Sequence, residues 1–239
     1  MTTARKPSLS VFFPCYNDVH AIGGLVEKVL VVLPTLTDKF EVIVIDDGSS
    51  DGSQKLLRDL AKKYPNIFRP IFHRMNQGYG SALKDGFKNA RYDLVFYTDG
   101  DGQYDVTELP ILWGLMTPDV NFVNGIKMER QDFAYRVIIG NFYALLMRWA
   151  FLLPIYDVDC DFRLIRRTLL SKIKLESESG SICVELTKKA QKAGAKFRQV
   201  SVHHYPRMYG ESQFFKPIRL LKTFRELIPL WWRLMIKER

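Results

Sequence analysis

Two short acidic segments in the first half of the chain combine carboxylates with glycines. One reads VIDDGSSDGS at residues 44–53 and the other reads TDGDGQ at residues 98–103. Asp99 and Asp101 are two residues apart, so a tight glycine turn can bring both carboxylates toward one point. Carboxylate oxygens are the hard ligands that Mg²⁺ and Mn²⁺ take, commonly together with substrate phosphates. Taken alone, each segment can also be explained as an ordinary polar turn, with Asp51 capping the next helix.

The elements around these segments predict where they lie. Apolar runs predict strands at 9–13, 41–45, 67–72, 94–98 and 120–124, and helical spacing predicts helices at 21–33, 51–64 and 79–90. This alternation predicts an α/β fold with a mostly parallel central sheet flanked by helices. Both acidic segments follow strands, and ligands of such sheets bind beyond the carboxyl ends of the strands. We therefore expect the site at that edge.

The second half of the chain has a less regular pattern. Helices are predicted at 133–153 and 181–193, a strand at 196–203, and a basic amphipathic helix at 214–239. The first predicted helix ends at Pro34, because proline breaks a helix, and Pro229 is expected to kink the last one. The pattern contains neither a repeat nor a linker.

Composition and charge narrow the classes of protein. The chain has 239 residues, 47% of them hydrophobic and 26% charged, as in an ordinary globular protein. Its net charge of +9 indicates either an anionic partner, such as a phosphorylated substrate or a membrane surface, or a basic cytosolic enzyme with a solvated Lys and Arg surface. Nucleic acid is not expected, because no DNA or RNA motif is present. P-loop and dinucleotide motifs are also missing from the sequence. Three widely spaced cysteines indicate a reducing compartment.

The C-terminal segment 214–239 predicts contact with a membrane surface. It carries seven Lys or Arg residues and two Glu residues, and its basic face and tryptophans suit an anionic interface. The alternative is packing on the domain core or on a partner chain. The longest apolar stretch, 142–156, is shorter than the roughly 20 residues that a spanning helix needs. We expect a peripheral protein of the cytoplasmic membrane face without a transmembrane helix. The apolar stripe of this segment comprises Leu220, Phe224, Leu227, Trp231 and Leu234.

Four motifs in order resemble one known family. They are FPCYND at 13–18, VIDDGSSDGS at 44–53, NQGYGSAL at 76–83 and TDGDGQ at 98–103. This set resembles the inverting glycosyltransferases of family 2, which have the GT-A nucleotide-sugar fold. Two later motifs, DVDCDFRLIRR at 157–167 and HHYPRMYGESQFF at 203–215, resemble polyprenyl-phosphate sugar transferases of the dolichol-phosphate mannosyltransferase group.

The resemblance implies an activity and a division of the chain. A sugar would move from a nucleotide-sugar of the GDP-mannose or UDP-glucose type to polyprenyl or dolichyl phosphate. The alternative is transfer to a sugar hydroxyl of a glycan. The catalytic domain would span 1–213, with a nucleotide-sugar half at about 1–126 and an acceptor half at about 127–213. The helix at 214–239 would follow, and a homo-oligomer or a membrane-protein partner is possible.

The resemblance also implies the site residues. Asp101 and Gln103 would hold Mg²⁺ or Mn²⁺. Asp101, Arg207 and Asp157 would serve catalysis. If a general base is needed, the candidates are Asp157, Asp159 and Asp161. Tyr209 occupies a position that is basic in the mannosyltransferases, which leaves the donor sugar and its base open. The residues expected to bind the nucleotide-sugar are Pro14, Tyr16, Asp18, Ile45, Asp47, Asp99, Gly100, Asp101, Gln103, Lys127, Arg207 and Lys216.

Overall fold

The computed structural model describes residues 6–128, 134–209 and 217–238. Over these ranges the chain forms seven strands and eight helices. The 3-10 turn Val106–Glu108 leads into α4, and α8 continues as a π-type helix over Trp232–Lys237. In chain order the elements are β1 (Leu9–Cys15), α1 (Val19–Leu36), β2 (Phe40–Asp46), α2 (Ser53–Lys63), β3 (Phe68–Phe72), α3 (Tyr79–Asn89), β4 (Leu94–Thr98), α4 (Leu109–Leu115), β5 (Phe122–Met128), α5 (Ala134–Phe151), β6 (Phe162–Arg166), α6 (Arg167–Leu170), α7 (Ile182–Lys192), β7 (Phe197–His203) and α8 (Pro217–Trp231).

All seven strands belong to one sheet, in the order β3-β2-β1-β4-β6-β5-β7. β1 pairs in parallel with β2 and β4, and β2 pairs in parallel with β3. β6 runs antiparallel to both β4 and β5, and β7 is parallel to β5. The carboxyl ends of β2, β1 and β4 are therefore neighbours at one edge. The predicted α/β fold with a mostly parallel sheet is confirmed.

Helices cover both faces of the sheet because successive strand residues point to opposite sides. Val11 and Phe13 of β1 pack in the cluster that includes α1, α2 and α4. Phe12, between them, packs in the cluster that includes α3 and α7. A third cluster joins α5, α7 and α8 beside the sheet, where Phe151 and Leu227 are buried. The C-terminal helix is thus packed onto the domain.

The end of α1 and the presence of β6 differ from the sequence-based expectation, which also contained neither α4 nor α6. The predicted end of the first helix before Pro34 is wrong, since α1 continues to Leu36. Proline removes one donor, but the Thr37 N–H still bonds the Leu33 carbonyl at 3.1 Å. No strand was expected at 162–166, yet β6 lies there between β4 and β5. The fully buried Arg163 interrupts its apolar run, which hides the strand pattern.

The apolar residues of α8 divide between two environments. Leu227 and Leu234 of the predicted stripe are buried in the third cluster, whereas Phe224 is exposed. α8 carries apolar side chains on more than one side. Some of them pack against the domain, and others are exposed to solvent. Pro229 lies inside the helix, two residues before its end at Trp231.

Among the described residues, α1 has the length and apolar composition that a membrane-crossing helix requires. Its buried residues include Val26, Val29 and Leu33, which pack against the sheet. Core helices often meet the same two criteria, so the finding is weak evidence for a span. The expectation that the chain lacks a transmembrane helix stays a prediction.

Candidate functional site

Three strand ends meet at the carboxyl edge of the sheet. The Asp47 N–H donates to the Cys15 carbonyl at 2.8 Å, and the Gly100 N–H donates to the Pro14 carbonyl at 3.1 Å. The two acidic segments therefore flank the end of β1 on either side. A Cβ at Gly100 would lie 2.5 Å from the Pro14 oxygen, so only glycine allows this approach. The two acidic segments therefore lie at the same edge of the sheet, as the sequence predicts, and the space that they border beyond the strand ends is called the cleft.

One arginine joins two of the carboxylates in this cleft. The Arg207 guanidinium contacts Asp18 through Nη2, and its Nη1 lies 3.3 Å from Asp101 Oδ2. Arg207 reaches the cleft because its segment is tied to the second acidic loop. The Tyr205 N–H donates to the Gln103 carbonyl at 2.8 Å, and Gln103 Nε2 donates to the Tyr205 carbonyl at 3.0 Å. Asp18 and Arg207, which are 189 positions apart in the sequence, thus belong to one ion-paired group with Asp101.

Burial and neighbouring carboxylates raise the pKa values of two aspartates at the cleft. Burial raises the pKa of Asp18 to about 6, with Asp101 adding to the rise and Arg207 opposing it. Burial, Asp161 and Asp101 raise the pKa of Asp99 well above its ordinary value, against a hydrogen bond from Tyr79. That bond joins Tyr79 OH to Asp99 Oδ1 at 2.8 Å. A divalent cation nearby would favour the ionised forms of these carboxyl groups.

The oxygen atoms at the cleft fit a divalent metal shared with a diphosphate. Asp101 offers a carboxylate and Gln103 an amide oxygen, and both are hard ligands. Within residues 6–128, 134–209 and 217–238, no group of three or more His, Cys, Asp or Glu side chains forms a metal cage. Mg²⁺ is commonly held by one or two carboxylates, with phosphates completing its shell. Such a site needs only the two predicted ligands.

Asp47 is engaged inside the protein. Its Oδ1 accepts from the Gln77 N–H at 2.7 Å and its Oδ2 from the Gly78 N–H at 2.9 Å. His73 adds a 2.7 Å contact through Nδ1. Asp47 therefore shapes the loop at 76–80, and Ile45 is buried in the core. The predicted role of Asp47 and Ile45 in nucleotide-sugar binding stays a prediction.

The neighbouring Asp46 belongs to the first acidic segment, but no role was predicted for it from the sequence. Its Oδ1 accepts from Ser49 N–H and Gln54 Nε2, both at 3.0 Å. Its Oδ2 is buried and has no hydrogen-bond partner among the residues that the structure describes. Buried polar atoms are nearly always satisfied, so a bound ligand or water is the expected partner.

The loop at 157–161 is held by a lysine from β5. The Lys127 N–H donates to Asp157 Oδ2 at 3.1 Å, and Lys127 Nζ donates to the Asp159 carbonyl at 2.7 Å. Lys127 Nζ also lies 3.7 Å from Asp157 Oδ1. Lys127, a predicted nucleotide-sugar-binding residue, is thus ion-paired with Asp157, a candidate base. Burial raises the pKa of Asp159 to about 7, although Lys127 lowers it.

A buried network beneath this loop was missed from the sequence. Arg163 Nη1 donates to Tyr97 OH at 2.9 Å, and Tyr97 OH donates to Asp161 Oδ1 at 3.1 Å. Arg163 also donates to the carbonyls of Val158 and Cys160, and so fixes the loop. The available signal was an arginine inside an apolar strand, which predicts a buried charge with partners.

The remaining predicted residues have different positions. Tyr16 is half-buried beside Asp18, and its N–H lies 3.5 Å from Asp18 Oδ2. Lys216 lies outside the described residues. Tyr79 was predicted only as a helix start, yet its hydroxyl binds Asp99.

The chain belongs to glycosyl transferase family 2, whose family model matches residues 10–174. An undecaprenyl-phosphate 4-deoxy-4-formamido-L-arabinose transferase of Yersinia enterocolitica is 26% identical over 220 residues, covering 92% of this chain and 66% of that protein. The enzyme of the same description from Pseudomonas savastanoi is also 26% identical, and 64% of its length is covered. The chain thus spans slightly less than two thirds of these curated relatives.

Solved structures of glycosyltransferases share the fold. Glucosyl-3-phosphoglycerate synthase from Mycobacterium tuberculosis, solved with Mn²⁺, UDP and phosphoglyceric acid, gives a TM-score of 0.70 at 18% identity, covering 95% of this chain and 78% of that one. Mannosyltransferase PcManGT from Pyrobaculum calidifontis, solved with GDP-Man and Mn²⁺, gives 0.67 at 21% identity, covering 95% and 65%. The expected GT-A fold is confirmed.

Proposed function

We propose that this chain transfers a sugar from a nucleotide-sugar to polyprenyl or dolichyl phosphate, with inversion at the anomeric carbon. One observation supports it above all: Arg207 is held by Asp18 and Asp101 beyond the ends of β1 and β4. Family membership and the polyprenyl-phosphate activity of the curated relatives support the same reaction. The donor type, GDP-mannose or UDP-glucose, is left open.

In this reaction a phosphate oxygen of the acceptor bonds to the anomeric carbon as the nucleoside diphosphate leaves. The leaving group gains negative charge, and we assign its neutralisation to Arg207 and Lys127. Mg²⁺ or Mn²⁺, held by Asp101 and Gln103, would supply Lewis-acid neutralisation of the same diphosphate. A phosphate monoester is already anionic near neutral pH, so Asp157 need not act as a base. Its pairing with Lys127 suits a positioning role.

A second candidate is transfer to a sugar hydroxyl of a glycan. Such a reaction needs a general base whose pKa lies near the working pH. The observation that favours it is Asp159, whose pKa burial raises to about 7. The two candidates therefore differ in whether the loop at 157–161 accepts a proton.

We also propose that α5 and α8 form a surface that contacts an anionic membrane from the cytoplasmic side. The two helices are joined by a 2.7 Å bond from Trp231 Nε1 to the Ala150 carbonyl and by edge-on packing of Tyr143 and Phe224. Apolar exposure of this extent is unusual for a monomer without a partner. This platform consists of the exposed side chains of Ile139, Phe142, Leu145, Leu146, Trp149, Leu152, Leu221, Phe224, Ile228, Trp231, Trp232 and Ile236.

The reaction is tested by donor binding followed by acceptor competition. Ligand binding to the native state raises the melting temperature, so a panel of GDP- and UDP-sugars with Mn²⁺ identifies the donor. Transfer from that donor is then measured in detergent micelles with undecaprenyl phosphate or with free sugars. We expect product only on the lipid phosphate. Product on sugar hydroxyls alone would support the second candidate, and absence of binding to every donor would contradict both.

A further inference from the structure

Glu226, on the C-terminal helix α8, is bonded to a loop of the catalytic domain. Its Oε2 accepts from Ser179 Oγ at 2.7 Å, from Ser181 Oγ at 2.7 Å and from the Ser179 N–H at 3.2 Å. Both serines are buried and lie directly before α7. The carboxylate is thus at the positive end of a helix, where an anion is stabilised. One side chain of α8 therefore holds the loop at 176–181.

A second contact fixes the same loop from the same end of the chain. Arg233 Nη2 lies 3.0 Å from Glu185 Oε1, and Arg233 also contacts Glu176. The fully buried Glu185 accepts from the N–H groups of Glu176 and Ser177, at 3.0 and 2.8 Å through Oε2. The loop is therefore fastened by groups from α7, from α8 and from the helical segment after α8.

The loop at 176–181 packs directly against the loop at 76–80. The Gly80 N–H donates to the Glu178 carbonyl at 3.0 Å. A Cβ at Gly78 would lie 2.8 Å from the Glu178 oxygen, and one at Gly80 would lie 2.5 Å from the Ser177 oxygen. The two backbones are in direct contact, so a shift of one loop must move the other.

The loop at 76–80 in turn reaches the proposed donor site. Its Gln77 and Gly78 N–H groups bind Asp47, and Tyr79 OH binds Asp99 Oδ1 at 2.8 Å. Continuous hydrogen bonds and backbone contacts therefore run from Glu226 to a carboxylate beside Asp101.

We propose that Glu226 is a positioning residue for nucleotide-sugar binding, acting through the loops at 176–181 and 76–80. It does not touch the donor, and the inference rests on the proposed function. The helix whose exposed side faces the membrane surface would thereby also set the position of Tyr79.

The test compares Glu226→Ala with Arg225→Ala in lipid-free solution. Arg225 is the exposed neighbour on the same helix, so it is a matched control. We expect Glu226→Ala to raise the donor KM by about threefold to tenfold, the range seen for residues that couple to a site indirectly. We expect kcat to change less than about twofold and Arg225→Ala to resemble the wild type. Glu226→Gln retains an acceptor oxygen and should restore most of the affinity.

Tyr79→Phe tests the route. If Glu226 acts through Tyr79, the KM of the double variant will be lower than the product of the two single effects predicts. Independent effects would overturn the proposal. An unchanged KM in Glu226→Ala would overturn it too. So would a fall in both kcat and the melting temperature, because that result would indicate general unfolding.

Hydrogen exchange separates this inference from the proposed function. The Gly80 amide is protected by the Glu178 carbonyl, and we expect it to exchange faster in Glu226→Ala than in Arg225→Ala. Unchanged exchange overturns the connection between the loops whether or not any donor binds. Faster exchange in a protein whose wild type binds no nucleotide-sugar would retain the connection and reject the donor function.

Discussion

The two halves of the chain contribute different charged groups to the site. Residues before 127 provide the carboxylates at the strand ends, Asp18, Asp99 and Asp101. Later residues provide the cations Lys127 and Arg207, together with the carboxylates of the loop at 157–161. The halves meet because the segment around Tyr205 pairs with Gln103. Removing one of these side chains at a time tests its contribution, and we expect the largest effect at Asp101.

Asp101→Asn removes a carboxylate of the first half with little change of shape. We expect transfer to fall about 1000-fold, because a metal ligand and the charge that balances Arg207 are both lost. Steady-state transfer with and without Mn²⁺ is the measurement. Asp105→Asn in the same loop is the control, since the Asp105 carboxylate accepts from the Thr107 N–H at 3.0 Å within its own turn. Full activity in Asp101→Asn would remove the metal role.

Arg207→Ala removes the cation that the second half contributes. We expect kcat/KM for the donor to fall about 30- to 100-fold, because charge-assisted hydrogen bonds to a diphosphate are lost. Arg207→Lys keeps the charge without the fork geometry and should recover only part of the loss. The ratio of the two variants separates charge from geometry. Equal donor kinetics in all three proteins would mean that Arg207 only pairs the carboxylates.

The halves also differ in their exposed apolar side chains. The platform concentrates them on α5 and α8, with Trp149 and Ile228 exposed at 73% and 75%. Val31 is equally exposed at 76% but lies on α1. We expect Trp149→Ser with Ile228→Ser to weaken co-sedimentation with vesicles of phosphatidylglycerol about tenfold or more, from lost apolar burial.

Val31→Ser should leave vesicle binding unchanged. Equal binding by the platform variant and the wild type would discard the membrane surface. A wild type that forms dimers, and a platform variant that is monomeric by light scattering, would instead assign the surface to a second copy of the chain.

The smallest expected effect is on the free energy of unfolding and concerns His73, in the first half of the chain. His73 lies between Asp47 and Asp85, at 2.7 and 2.9 Å. Burial lowers its pKa, but the hydrogen bonds to both carboxylates outweigh it, and the pKa is raised above the ordinary 6.5. The stabilisation is therefore complete below the unfolded pKa and is lost as the pH rises through the folded pKa.

His73→Gln should lower the free energy of unfolding by about 1–2 kcal/mol at pH 5.5, with a smaller loss at pH 9. Urea unfolding at both pH values is the measurement. His20→Gln, at an exposed position on α1, is the control. A loss that is the same at both pH values would show that His73 acts as a neutral hydrogen-bonding group.

The sequence by itself predicted the strand–helix order from β1 to β4 and the edge of the sheet at which the two acidic segments lie. These follow from local patterns, because apolar periodicity and glycine turns act over a few residues. The resemblance of its motifs also indicated the family. The roles of Tyr79 and Glu226 had no such local signal, and the only signal for Arg163 was its place within an apolar run.

Only the tertiary structure decided which charges become partners. Arg207 meets Asp18 across 189 positions, Glu226 meets Ser179 across 47, and β6 enters the sheet around a buried Arg163. Such pairings depend on how loops of different strands fall together in space. The division of α8 into a packed side and an exposed side has the same origin, because a helix that is apolar on several sides does not encode which side meets the core.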